Sequence, residues 1–252
     1  MKKLFEKNEI MFAVMLIIIY VVGSSIMLNI SDDTLVQNIG GAAFNAVMTV
    51  LVFIFIKKND LMKYIGLCRS EVSAAKMLFY IPLVVCASLS LFFGIGLQLT
   101  PAASAFHAVS MLFVGFLEEV IFRGFLFKGI CKSNVTRAIV ISSVTFGIGH
   151  IANLFNGYNI FNNVVQIVFA VCVGFLLVFI FHRTGSLLAC IGFHSLNNCL
   201  NTFASKEYLI NAVGSEETAG IVIAGAKILI IAIYMLYVIK LPKRQSTSDI
   251  TQ

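Results

Sequence analysis

The sequence predicts an all-α fold: a polytopic transmembrane helical bundle of about eight spans with both termini in the cytoplasm. Three observations predict it. The 252 residues are 59% hydrophobic and 12% charged, with a mean hydropathy of +0.96, whereas about a quarter of residues are charged in soluble globular chains. Apolar runs long enough to cross a bilayer recur from one end of the chain to the other. Basic residues concentrate in alternate connections between those runs, as the positive-inside rule requires.

The runs occupy residues 10–30, 35–56, 77–97, 107–130, 138–155, 164–181, 186–204 and 221–239. The first follows Lys2, Lys3 and Lys7 and lacks a clear small-residue cleavage site, so it reads as a retained span rather than a signal peptide. Lys57, Lys58, Lys63, Arg69 and Lys76 lie between the second and third spans. Lys128, Lys132 and Arg137 lie between the fourth and fifth, Arg183 between the sixth and seventh, and Lys240, Lys243 and Arg244 after the eighth. The other side receives Asp32, Asp33, Glu207, Glu216 and Glu217 with one lysine, Lys206. The connection 57–76 reads either as a short amphipathic helix at the headgroups or as an ordinary anchored loop. Lys227, near the middle of the last span, reads as snorkelling, as paired with another helix, or as functional. The whole chain, 1–252, is expected to form one integral membrane domain, with residues 244–252 a disordered polar tail.

Composition also excludes functions. The formal charge of +6 comes without a basic stripe carrying interleaved aromatics, so nucleic acid is not an expected partner. The six cysteines include no C-x-x-C pair and fall mostly in or beside spans, which supports neither a disulfide framework nor a thiolate metal site.

The fourth span carries the chemistry. Glu118, Glu119 and Arg123 stand inside the apolar stretch from Val114 to Phe127, where each ionisable side chain costs about 2.5–3.5 kcal/mol on insertion scales. A spacing of four lets Glu119 pair with Arg123 on one helical face, while Glu118 points about 100° away with no local partner. Two histidines complete the set: His150, four residues after Phe146 in the fifth span, and His194, four residues before Asn198 in the seventh. Counted at the helical rise from the cytoplasmic ends, Glu118, His150 and His194 lie ~15, ~18 and ~12 Å deep, so groups from three spans share a level. A carboxylate assisted by an imidazole can take a proton from water, and a His–Asn pair projecting from one helical face can donate to the resulting oxyanion. Zinc is the competing mechanism, with Glu118, His150 and His194 as its ligands, although H-E-x-x-H is absent. Ser104, Ser142, Ser143 and Ser195 lack a G-x-S-x-G setting and read as helix-packing hydroxyls. Gly147 and Gly149 are expected to let a neighbouring backbone approach His150.

Glu118-Glu119-x-x-x-Arg123-Gly124, Phe146-x-x-x-His150 and His194-x-x-x-Asn198, in that order and preceded at the third by Arg183-Thr184-Gly185-Ser186-Leu187, resemble the CPBP family. This family comprises the type II CAAX prenyl proteases and their bacterial relatives, including bacteriocin-processing and self-immunity proteins. The resemblance covers residues 106–204 as a catalytic core. It implies an intramembrane glutamic endopeptidase of the bacterial cell membrane, acting on a membrane-anchored or membrane-embedded protein or peptide; no cofactor is the expectation, with zinc the alternative because members of the family are also labelled metalloproteases. It also implies that Glu118 and His150 activate water, that His194 and Asn198 form the oxyanion hole, and that Glu119, Arg123 and Phe146 support them. Buried Glu and His also build proton relays, so a proton-coupled transporter is a second reading. A non-catalytic immunity protein is a third. The depth of the three groups suggests a substrate entering from lipid between helices or from the cytoplasm.

Overall fold

The computed structural model describes residues 1–241, so the expected tail at 244–252 lies outside the described residues. The elements, in order, are α1 Lys2–Lys7, α2 Glu9–Leu28, α3 Thr34–Lys58, α4 Ile81–Ser88, α5 Pro101–Glu119, α6 Lys128–Cys131, α7 Val135–Ile148, α8 Ile160–Thr184, α9 Leu188–Asn201, α10 Glu207–Val213 and α11 Glu216–Lys240. Polar residues between the apolar runs start the long helices. Asn8, Asp33, Thr100, Asn134, Asn159 and Ser215 each accept a first-turn backbone N–H, relieving donors that hydrocarbon would leave unpaired.

Among the described residues seven helical stretches, some joining successive elements, are long and apolar enough to cross a membrane. The expected span at 186–204 is shorter: α9 has 14 residues, or ~21 Å at the helical rise against a ~30 Å hydrocarbon core. The cause lies in the preceding turn. Gly185 ends α8 in the left-handed conformation at φ +67°, and Thr184, Ser186 and Leu187 are buried. Helix α9 therefore begins inside the bundle.

What covers that turn is the connection 57–76, which is a loop rather than a helix between Lys58 and Ala75 and is bonded into the bundle. Gly66 C=O accepts from Leu187 N–H at 2.8 Å, Cys68 C=O from Ser186 Oγ at 2.6 Å, and Glu71 N–H donates to Thr184 C=O at 3.0 Å. Ile65 is fully buried. Gly66 sits at φ +88° with the Phe181 ring where a Cβ would stand, so a side chain there would be strained and would displace the plug.

The third expected span is also broken. Leu78, Phe79 and Tyr80 have φ of +52°, +51° and +58°, and 3₁₀ turns at Ala75–Tyr80 and Leu89–Phe93 flank α4.

Helix α5 is the central element, packed on α3 and α9, while α8 packs on α7 and α11. Directly after Glu119 its backbone widens into a π-helix, Val120–Phe127, all eight residues of which are buried. At the lysine-bearing end Phe5, Phe12, Phe55 and Phe125 interlock, with ring centroids 4.9 to 6.3 Å apart. Small residues bring backbones together near the polar centre. A Cβ on Gly115 would strike Ser195, and one on Gly174 would come 2.9 Å from the Ser143 carbonyl oxygen. Gly147 behaves as expected against Val171, but Gly149 has open space where its Cβ would be. The outward faces of α2 and α11 present Ile18, Ile19, Leu229 and Ile233, a surface suited to lipid.

Candidate active site

Glu119 and Arg123 meet as their spacing predicts. Arg123 Nη1 donates to Glu119 Oε1 at 3.0 Å with both side chains fully buried. The guanidinium also lies 4.1 Å from the centre of the Phe146 ring and donates from Nη2 to the Gly174 carbonyl at 3.4 Å. A charge this deep persists because pairing, ring face and carbonyl all compensate its lost hydration.

Glu118 finds partners that are remote in sequence. Its Oε1 accepts from the Tyr20 hydroxyl of α2 at 2.8 Å. Its Oε2 is buried without a hydrogen-bond partner among the described residues, and His194 Nε2 stands 3.5 Å away. His194, 6% exposed, also places Nδ1 2.8 Å from Glu119 Oε1. One imidazole thus bridges the two adjacent carboxylates, each on a different face of α5.

His150 opens the 3₁₀ turn Gly149–Asn156 that ends the fifth span, and its Nδ1 lies 3.3 Å from Gln166 Nε2. Phe146 organises the histidines. Its ring meets His150 and His194 edge-on at centroid distances of 5.8 and 5.6 Å, and packs on Phe122 at 5.3 Å. Asn198, one turn beyond His194, accepts at Oδ1 from Asn197 Nδ2 at 3.1 Å. Asn197 Oδ1 in turn accepts from Lys227 Nζ at 2.9 Å, with Asn201 Oδ1 at 3.4 Å from the same ammonium. Lys227 is therefore paired between helices rather than snorkelling, and it is 3% exposed.

Glu118, His150, His194 and Asn198 all line one cavity of about 590 Å³, with Tyr20, Phe146, Asn197 and Gln166 on the same wall. A side lobe of about 100 Å³ shares Tyr20, Glu118, Phe146 and His150. The four expected reactive side chains and Phe146 thus converge, while Glu119 and Arg123 stand behind them. His107 bonds to Asn38 at 3.0 Å and lines the cavity from the same helix as Glu118, a wall position its place near a span end did not suggest. The serines act as packing groups: Ser142 Oγ donates to the Phe122 carbonyl and Ser195 Oγ to that of Leu112. Among the described residues no three His, Cys, Asp or Glu side chains are arranged to hold a metal ion.

Tyr20, Asn197 and Gln166 were not identifiable from sequence. Tyr20 and Gln166 stand in apolar runs and Asn197 stands beside Asn198, and only the packing of α2, α8 and α9 around α5 shows what each meets. Residues 100–200, which contain every expected site residue, match the family model described as type II CAAX prenyl endopeptidase Rce1-like. Comparison with curated proteins and with solved structures gave no match.

Proposed function

We propose, from the match of residues 100–200 to the type II CAAX prenyl endopeptidase Rce1-like model, that the protein is a member of the CPBP/CAAX protease family and an intramembrane endopeptidase in which Glu118 activates water. The coarser reading, an integral, multi-pass membrane protein of a protease family, is supported by the family match over residues 100–200 and by seven helical stretches among the described residues that are long and apolar enough to cross a membrane. The observation that carries the finer reading is the convergence of Glu118, His150, His194 and Asn198 on one cavity.

The geometry supports the following sequence. Tyr20 fixes the Glu118 carboxylate. Glu118, with His150 across the cavity, removes a proton from a water molecule, whose oxygen bonds to the peptide carbonyl carbon. The carbonyl oxygen becomes an oxyanion that accepts from the Asn198 carboxamide and from Nε2–H of His194, whose ring in this scheme carries a proton on each nitrogen because Nδ1–H donates to Glu119. Glu119, neutralised by Arg123, holds Nδ1 of His194 and so fixes the ring's orientation, as the buried carboxylate does in a catalytic triad. Collapse of the oxyanion breaks the C–N bond, and the proton held by Glu118 passes to the leaving amine nitrogen. No protein nucleophile and no metal takes part in this scheme. Transporter and binding-only readings leave unexplained why a His–Asn pair one turn apart faces the same cavity as the carboxylate.

The test is Glu118→Gln, which keeps an acceptor for Tyr20 but cannot take a proton. Membrane-protein termini compared by proteomics between cells carrying the parent and the variant should show cleavage products that vanish in the variant. Identical termini in the two strains, with both proteins present at equal abundance, would refute the proposal.

A further inference from the structure

The reactive cavity has a definite direction. Its walls come from the ends of the helices remote from the basic residues. Gln37 and Asn38 lie in the first turns of α3, Gln98 precedes α5, Tyr158 precedes α8, and Asn201 and Thr202 end α9. Gln98, Tyr158 and Asn201 are exposed and form the mouth. Of the 18 Lys and Arg residues in the sequence, all but Arg123, Lys206 and Lys227 lie by chain order at the opposite ends of the spans. That opposite end is closed above the site. The π-helical segment Val120–Phe127 is wholly buried, the Phe5, Phe12, Phe55 and Phe125 rings interlock, and residues 61–71 are bonded over the turn between α8 and α9. A tail coming from the lysine-rich side would have to pass through this packed layer, so the cytoplasmic route suggested by depth alone does not match the shape of the protein.

We infer that the mouth opens on the non-cytoplasmic face and that the substrate is an extended polypeptide presented there, an exported chain or the outer flank of a membrane-spanning one. The inference rests on the peptidase reading for its substrate and on the basic end being cytoplasmic for its side. The wall chemistry fits such a ligand. Asn38, Asn45, Gln98, Asn153, Asn201 and Gln166 line it with carboxamides that are also bonded within the protein, and a neutral, hydrogen-bonding wall of this kind suits a peptide backbone of any side-chain charge. The acidic groups near this end, Asp32, Asp33, Glu207, Glu216 and Glu217, do not line the cavity, so selection by charge is not built into its wall.

Two experiments separate the side from the chemistry. In a background lacking native cysteines, Gln98→Cys and Tyr158→Cys should react with a membrane-impermeant maleimide on intact cells, while Lys63→Cys should react only after permeabilisation. The reverse pattern overturns the inference without touching catalysis. Membrane vesicles of the two orientations are then given an impermeant pool of quenched-fluorescent peptides of acidic, basic and uncharged sequence, with Glu118→Gln as the blank. Hydrolysis confined to right-side-out vesicles, at similar rates across the charge classes, is the expected result. Hydrolysis confined to inside-out vesicles overturns the inference and leaves the peptidase reading intact. The expected labelling with no hydrolysis in either orientation overturns the assigned substrate class together with the peptidase reading, and leaves only the position of the mouth.

Discussion

His194 Nδ1 lies 2.8 Å from the same Glu119 oxygen that Arg123 reaches at 3.0 Å. Glu119 therefore joins the structural cation to the reactive imidazole, and the two glutamates differ in kind. Removing Arg123 leaves a fully buried carboxylate facing only a histidine, a loss of about 3–5 kcal/mol for a broken buried pair. Arg123→Ala is expected to lower yield and thermal stability sharply. Glu118→Ala leaves that pair intact and should give a well-folded, inactive protein. Thermal melts and turnover of both purified variants check this, and a stable Arg123→Ala protein beside an unfolded Glu118→Ala protein would reverse the assignment.

Tyr20 supplies the hydrogen bond that Glu118 lacks locally. Tyr20→Phe removes one hydroxyl from a buried contact and leaves the ring packing unchanged. A neutral hydroxyl donating to a carboxylate contributes about 1.5 kcal/mol or more, so kcat should fall roughly tenfold or further with the melting temperature little changed. Activity equal to the parent would show that Glu118 needs no positioning from α2.

Much of this was legible in the sequence, and the division follows range of interaction. Glu119 and Arg123 pair at a spacing that any helical register brings together, and the hydropathy of the runs marks the bundle because length and apolarity are local properties. The partners of Glu118 were not legible, since Tyr20 comes from a helix 98 positions away. The widening of α5 at Val120 was invisible because π and α segments share the same apolar composition. The shortness of α9 depends on a plug delivered by residues 61–71, whose glycine and hydrogen bonds matter only against the turn they cover. Direction of access is not legible for a related reason: depth along a helix says nothing about which end of the bundle is packed shut.

Close approach of α5 and α9 sets the distance between the glutamates and His194. A Cβ on Gly115 would strike the Ser195 side chain and come 2.6 Å from its backbone nitrogen. Backbone cannot yield cheaply, so Gly115→Ala should force the helices apart and cost both stability and turnover. Gly149→Ala, next to His150 but facing open space, should be tolerated and, being helical, slightly stabilised. Melting curves and kcat for the pair test the contrast; equal behaviour of the two variants would deny that the α5–α9 spacing matters.

The proposed water activation uses no cation. Activity should therefore survive exhaustive chelation, and the purified protein should contain no stoichiometric zinc by elemental analysis. If chelation abolishes turnover and zinc restores it, Glu118, His150 and His194 become ligands and the division into base and oxyanion donors is wrong.

Lys227 controls an amide from a distance. Its ammonium donates to Asn197 Oδ1, which leaves Asn197 Nδ2 to donate to Asn198 Oδ1. In the proposed scheme this pairing of Asn198 Oδ1 leaves its Nδ2 as the donor for the oxyanion. Lys227→Met preserves the length of the side chain and removes a buried charge, so folding should hold or improve while kcat falls and KM stays near the parent value. Asn197→Asp separates orientation from structure. Its carboxylate gives Lys227 a stronger partner, yet it offers Asn198 only an acceptor, and the Asn198 amide should flip to donate to it. The expected result is a protein at least as stable as the parent with kcat reduced ~10²-fold or more, the loss typical of one oxyanion donor. An Asn197→Asp enzyme with full turnover would show that the orientation of Asn198 is set elsewhere.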